Sequence, residues 1–284
     1  CIFASSYAIF QTYVSEKGID IENTKIMMGH SLGEYTALAC SKKISLKDCC
    51  KILKKRGELM NDAVTPNYTG MAALIGQDCN FVSKIIEENK LKLEIANDNS
   101  PMQIVISGTK DEITKSKNLF MENNIKKFVE LNVSAAFHSN FMLQAQEKLS
   151  DEIEKINFFE NEIQIISNFD AKNYNNTSLI KRNLQKQMAN KVNWTESIIK
   201  LEKIGEKNVI EIGPNKILSG LRDLSYNINK FKKAFYNFFQ IEASGKIIKD
   251  ITKELNQSEN LLRHIFIKVN EHQELPTILN YEKK

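Results

Sequence analysis

Thr24-Lys25-Ile26-Met27-Met28-Gly29-His30-Ser31-Leu32-Gly33-Glu34-Tyr35 reads as a short apolar run, a sharp turn and the start of a helix. The strand covers 24–28, and Leu32, Tyr35, Thr36 and Ala39 then recur at helical spacing. Residues 29–33 form a G-x-S-x-G sequence in the strand, turn and helix context that this motif requires. A serine on such a turn projects Oγ outward, while small flanking glycines let strand and helix approach. The N–H of Leu32 points into the same space at a helix N-terminus and can stabilise an oxyanion. The plainer reading makes Ser31 an N-cap, because Glu34 three residues on completes a capping box. The context favours a nucleophile.

Working outward, a helix is expected over 4–14. A second starts at its N-cap Ser45, with Asp48 three residues on, and ends before Pro66. Its apolar stripe is Leu46, Cys49, Cys50, Leu53, Gly57 and Met60. From Gly70 the pattern gives strands near 71–75, 92–97, 103–107 and 127–133. Helices fall near 79–89 and 110–123, the latter opened by Thr109 with Glu112. That order is the ferredoxin-like βαββαβ unit, inserted between two parts of a larger α/β domain. Afterwards come a helix near 140–155, a strand at 163–167, and helices near 177–189 and 195–204, closed by Gly205. A strand at 209–212 precedes Gly213-Pro214 and a further helix. Alternating strands and helices argue for a mostly parallel sheet covered on both faces. The divisions expected are 1–68, first part of the large subdomain; 69–135, the small subdomain; 136–230, the second part of the large one; and 231–284, an unassigned tail.

A chain of 284 residues with 42% hydrophobic and 26% charged residues can build a sizeable core and excludes a disordered class. The formal charge of +4 is too slight to argue for nucleic acid. In the tail, nine basic and seven acidic residues nearly cancel, so it is no basic arm. No run approaches the roughly 18 apolar residues of a membrane span, and no signal-peptide pattern opens the chain. A cytoplasmic protein is expected. Five cysteines with no C-x-x-C pair suggest reduced thiols, and neither a disulfide framework nor a metal site. Because the chain opens at Cys1 and runs straight into helix, further residues are expected upstream.

A serine nucleophile needs a base, and the histidines are His30, His138, His264 and His272. His30 adjoins Ser31, so its side chain projects elsewhere and supports the turn. His264 and His272 lie in the tail. His138 stands where the inserted unit returns to the main domain, a position from which it can reach the active end of the sheet; spacing leaves a structural histidine open. Arg56 falls inside the apolar stripe of its helix, while Lys47, Lys51, Lys55 and Glu58 lie opposite. An inward guanidinium must find a partner, either a structural carboxylate or a carboxylate on the substrate. Gln187 sits in the stripe of Leu179, Ile180, Leu184 and Met188, where it can bond a buried group near the site.

Several motifs follow in one order: residues 29–35, Arg56-Gly57, Gly70-Met71-Ala72-Ala73, Asn97-Asp98-Asn99-Ser100-Pro101 with 103–108, Phe137-His138-Ser139, Gln187, Trp194 and Glu211-Ile212-Gly213-Pro214. Together, over about residues 1–230, they resemble the malonyl-CoA:acyl carrier protein transacylases of fatty acid synthesis, which share their fold with polyketide synthase acyltransferase domains. The resemblance implies an α/β-hydrolase-like large subdomain with an inserted ferredoxin-like small one. It implies Ser31 as nucleophile, His138 as base and then acid, Leu32 N–H as an oxyanion donor and Arg56 as the clamp on a malonyl carboxylate. Gln187 matches a glutamine near the histidine, in a family where carbonyl oxygens orient the imidazole in place of a carboxylate. Phe137 matches the malonyl-selecting form of its motif, and Asn97 and Asn99 belong to a site-supporting motif. Malonyl-CoA and acyl carrier protein would be the partners, with the coenzyme A thioester as substrate and no cofactor. Nothing matches the Gly-Gln-Gly loop with which the family normally opens, and Ala136 and Asn215 stand where it often has Pro and Gly. Two other readings stand beside this one: a serine hydrolase or thioesterase using His264, and a non-catalytic remnant that docks acyl carrier protein.

Overall fold

The structure, a computed structural model, describes residues 2–16, 21, 23–205, 209–214, 218 and 221. Helix α1 (Ile2–Ser15) precedes the two-residue strand β1 (Ile26–Met27), and the turn at 28–31 leads directly into α2 (Leu32–Cys40). Ser45 Oγ accepts the Asp48 N–H at 3.0 Å and opens α3 (Leu46–Asp62). The buried residues of α3 are Cys49, Ile52, Arg56 and Met60, a narrower stripe than its periodicity suggests. Leu46, Cys50 and Gly57 face solvent instead. Arg56 is thus held inside an apolar row, as its spacing requires.

The inserted unit runs β2 (Thr69–Ile75), α4 (Cys79–Glu88), β3 (Leu93–Ser100), β4 (Gln103–Thr109), α5 (Lys110–Glu122) and β5 (Lys127–Glu130). Asp78 and Thr109 cap its two helices, accepting the N–H of Phe81 and Glu112. The strand order β5-β2-β4-β3, antiparallel throughout, is that of the ferredoxin-like sheet. Successive strand residues point to opposite faces. Ala72, Leu74, Ile104 and Ile106 therefore meet α4 and α5, while Met71, Ala73 and Val105 face the other way. Val129 of β5 shares that second face, and Leu131, Val133 and Phe137 cover it as the chain returns. Because the returning segment lies over the sheet, β5 ends at Glu130 rather than continuing to 133.

After a short 3-10 turn (Asn140–Met142) come α6 (Leu143–Glu154), β6 (Gln164–Ile166), β7 (Asn173–Tyr174), α7 (Thr177–Lys186), β8 (Val192–Asn193) and α8 (Trp194–Lys203). β1 pairs parallel with β6, and β7 adds antiparallel to β6, so the large part shows a mixed three-stranded sheet among the described residues. The expected mostly parallel sheet is shorter than its pattern promised. The run 209–212 forms no strand among the described residues, and Gly213-Pro214 ends it directly after Ile212. Of the helix expected after Pro214, Leu218 and Leu221 are described, packed with Val192, Trp194 and Ile198. Asn215 and the tail 231–284 lie outside the described residues.

The large core gathers Tyr35, Leu38, Ile52, Met60, Leu149, Ile153, Ile165, Ile180 and Leu184 from α2, α3, α6, β6 and α7. Phe137 touches both this core and the small sheet's second face. β8 joins the small sheet by pairing parallel with β3, Asn97 with Val192 and Asp98 with Asn193. Thr195 Oγ1 donates to Asp98 Oδ1 at 2.5 Å and reinforces that join. No helix of the described residues is long and apolar enough to cross a membrane.

Candidate active site

Ser31 has φ 51° and ψ −104°, a left-handed backbone that ordinary residues avoid. Two features hold it there. A Cβ on Gly29 would overlap the backbone of Gly33, so strand and helix close tightly only because Gly29 has none. Asn168, just beyond β6, accepts the Ser31 N–H through Oδ1 at 2.6 Å and donates from Nδ2 to Gly29 O at 2.8 Å. The Ser31 side chain makes no cap bond to α2. Its Oγ instead lies 2.8 Å from His138 Nε2 and accepts from Arg56 Nη2 at 2.9 Å. Leu32 supplies the first N–H of α2, one of the amides that a helix leaves unpaired.

His138 also has a left-handed backbone, φ 56°. The returning segment is pinned by the Ala136 N–H on Thr69 Oγ1 (3.0 Å) and by Ser139 Oγ–H on the Ala136 carbonyl (2.6 Å). Its Nδ1 lies 3.0 Å from the Gln187 carbonyl and 3.1 Å from that of Asn190. Carbonyl oxygens only accept, so Nδ1 carries the proton and Nε2 keeps the lone pair that faces Ser31. These carbonyls are free because α7 ends at Lys186, with Gln187 at its C-cap rather than within the helix as its spacing implied. Burial, then the Arg56 charge, then His30, hold the imidazole down to a pKa of about 3, so it is neutral.

Arg56 is 6% exposed, and its guanidinium lies over the Tyr35 ring at 5.4 Å. Its Nη2 also reaches Gln187 Oε1 at 3.4 Å, while the buried Nε has no hydrogen-bond partner among the described residues. Of the two alternatives left open for this cation, the structural carboxylate is absent: no Asp or Glu lies within ion-pair distance among the described residues. A buried cation beside a serine hydroxyl favours an anionic ligand.

His30 Nε2 bonds Asn99 Oδ1 at 2.8 Å, and its ring meets Trp194 edge-on at 5.4 Å. Asn99 can reach it because the β3 ladder shifts register between Asp98 and Ser100, which re-aims the side chain. Asn97 does not join: it pairs through its backbone with Val105 and Val192, and no hydrogen bond links its side chain to Ser31, His138 or Arg56. Phe137 lies partly buried beside the site. His264 and His272 fall outside the described residues, and His138 occupies the position at Ser31 that a hydrolase reading would give to His264.

Two residues escape the sequence reading. Asn168 ties the serine turn to β6, and its one signal is its place just after an apolar strand. Glu34 is 1% exposed, accepts from Gln187 Nε2 at 2.6 Å and from the Asn168 N–H at 3.2 Å, and is pushed up to about 7 by burial. Its capping-box spacing disguised it. Among the described residues no group of three or more His, Cys, Asp or Glu could hold a metal ion.

The acyl transferase domain family matches residues 4–263. The malonyl CoA-acyl carrier protein transacylase of Bacillus subtilis is 38% identical over 224 residues, 78% of this chain and 69% of that protein. The structure of the transacylase of that name from Coxiella burnetii superposes with a TM-score of 0.74 at 31% identity, covering 78% of this chain and 70% of that one. A type II PKS acyl-carrier protein in complex with its malonyl-transacylase gives a TM-score of 0.74 at 32% identity, covering 79% and 72%.

Proposed function

We propose a reaction for this chain, which belongs to the acyl transferase domain family: it moves a malonyl group from malonyl-CoA to the phosphopantetheine thiol of acyl carrier protein, in fatty acid synthesis, through a malonyl ester of Ser31. The observation that carries this reading is the contact of one serine oxygen with both a neutral imidazole and a buried guanidinium.

Ser31 Oγ attacks the thioester carbonyl while its proton passes to His138 Nε2, and the Nδ1–H stays on the Gln187 and Asn190 carbonyls. The oxyanion forms against the Leu32 N–H at the start of α2. Collapse expels the coenzyme A thiolate, which takes the proton back from His138. The carrier-protein thiol then gives its proton to His138, attacks the ester carbonyl, and Ser31 leaves and is reprotonated. Arg56 turns from Ser31 to the distal malonyl carboxylate. An acetyl group has no carboxylate to offer, so discrimination follows from the cation it would leave buried and unpaired. Arg56 is also the second cause of the low basicity of His138. A carboxylate that neutralises it raises the imidazole toward a useful base, so the charge that identifies the substrate also readies the base. Phe137 crowds an α-methyl branch.

Serine, histidine, arginine and a backbone amide close every step, so we assign no cofactor beyond the coenzyme A thioester. We place the reaction in the cytoplasm, in keeping with the free thiols of Cys40, Cys49, Cys50 and Cys79.

The test is intact-mass spectrometry after brief exposure to malonyl-CoA, followed by addition of phosphopantetheinylated acyl carrier protein. A malonyl adduct on the wild type, absent from Ser31→Ala, weak with acetyl-CoA and discharged by the carrier protein, is expected. An adduct that survives Ser31→Ala, or that water discharges as fast as the carrier protein does, overturns the reading.

A further inference from the structure

Glu34 stands one helical turn after Ser31, buried, with no lysine or arginine within ion-pair distance among the described residues. Burying an unpaired carboxylate is costly, so its surroundings indicate what it does. Gln187 Nε2 has two hydrogens: one goes to Glu34 Oε2 at 2.6 Å, the other to the Ser31 carbonyl at 3.0 Å. Both partners are acceptors. The amide cannot flip, and Oε1 is left facing Arg56 Nη2. The backbone carbonyl of the same residue receives the His138 Nδ1–H. Gln187 thus touches serine, arginine and histidine together, and its orientation depends on a carboxylate that accepts. Protonation of Glu34 turns this charge-assisted hydrogen bond into a neutral one of about half its strength and loosens its hold on the amide.

Resting on the malonyl-transfer reading, we propose that ionised Glu34 is a positioning residue for acyl transfer: it locks the Gln187 amide and through it holds Arg56 and His138 on Ser31. The charged groups facing Glu34 are Arg56 from α3 and Asp170 from the loop after β6; Gln187 and Asn168 contribute neutral donors. Burial, with Asp170 acting in the same direction, outweighs Arg56 and the two neutral donors and keeps the carboxyl near 7, whereas His138 titrates at about 3. The two groups are therefore separable in a pH profile of the free enzyme.

The second-order rate of malonyl-Ser31 formation at subsaturating malonyl-CoA reports the free enzyme. In the wild type it should fall as pH drops below about 7 and level off at about a tenth of its alkaline value. Glu34→Gln, which still accepts through its amide oxygen, should react about tenfold more slowly at pH 8 and lose that acid limb. Gln187→Ala should also lose the limb, and adding Glu34→Gln to it should cost nothing more. A flat wild-type profile between about pH 6 and 8 overturns the inference without recourse to any variant. So does a limb that persists in Glu34→Gln, or a full Glu34→Gln loss in the Gln187→Ala background. Absence of any adduct in the wild type at every pH removes the malonyl-transfer reading, and this inference with it; an adduct with a flat profile removes the inference alone.

Discussion

Arg56 Nη2 donates to Ser31 Oγ at 2.9 Å, so a buried cation holds the hydroxyl. On the proposed reaction, substrate entry exchanges that bond for a pair with the distal carboxylate. Truncating one partner of a buried charge pair costs about 2 to 5 kcal/mol. Arg56→Ala should therefore lower kcat/KM for malonyl-CoA by roughly 30- to 3000-fold. The value for acetyl-CoA should change far less. A parallel loss for both thioesters, in competition assays on the folded variant, would mean that Arg56 serves the serine alone.

The two glycines around Ser31 are not equivalent. A Cβ on Gly29 collides with the Gly33 backbone, whereas one on Gly33 meets nothing within 4 Å. Gly29→Ala must push strand and helix apart, and overpacking of this kind costs about 1 to 3 kcal/mol or more. Gly33 lies in α2, where alanine is favoured by roughly 1 kcal/mol. Urea unfolding should show Gly29→Ala destabilised and Gly33→Ala unchanged or slightly more stable. Equal losses would contradict the geometry.

Asn168 gives a third test, because it bonds both ends of the turn, the Ser31 N–H and the Gly29 carbonyl. Asn168→Ala leaves two groups unpaired at about 1 to 3 kcal/mol each. It should cost stability and also slow Ser31 acylation, since Oγ loses its fixed bearing. Circular-dichroism melts together with single-turnover acylation check both effects. A stability loss with full acylation rate would reduce Asn168 to a structural bond.

The ferredoxin-like insertion was legible because each of its elements carries a local signal, down to the cap at Thr109. Arg56 was legible for the same reason: a charge inside an apolar row is visible from spacing alone. The carbonyls that hold His138 left no trace, since every residue has one and only the end of α7 frees those of Gln187 and Asn190. Glu34 was hidden by a rule that fitted too well, the capping box, although Ser31 Oγ is engaged elsewhere. Asn97 and Asn99 look alike in sequence, and a register shift in β3, which no periodicity reveals, sends only one of them to His30. Strand length in the large sheet depends on partners far along the chain, and there the pattern overstated what pairs.

The same buried groups fix how stability responds to acid. His138 titrates at about 3 in the fold against 6.5 ordinarily, so below 6.5 the unfolded chain binds a proton that the fold refuses. Stability is then lost as pH falls, at up to about 1.4 kcal/mol per pH unit. His30, lowered by burial, acts in the same direction. Glu34 acts oppositely: between its ordinary 4.5 and about 7 the fold keeps a proton that the unfolded chain has released, so its contribution is lost as pH rises. From 6.5 down to 4.5 Glu34 therefore offsets one histidine. His138→Gln should remove one proton from the balance and lessen the loss of stability over those two units by roughly 2 kcal/mol. Urea unfolding of both proteins at pH 6.5 and 4.5 measures the difference directly. Parallel losses would mean that the imidazole accepts a proton in the fold, and so that the carbonyl clamp and the Arg56 charge do not hold it neutral.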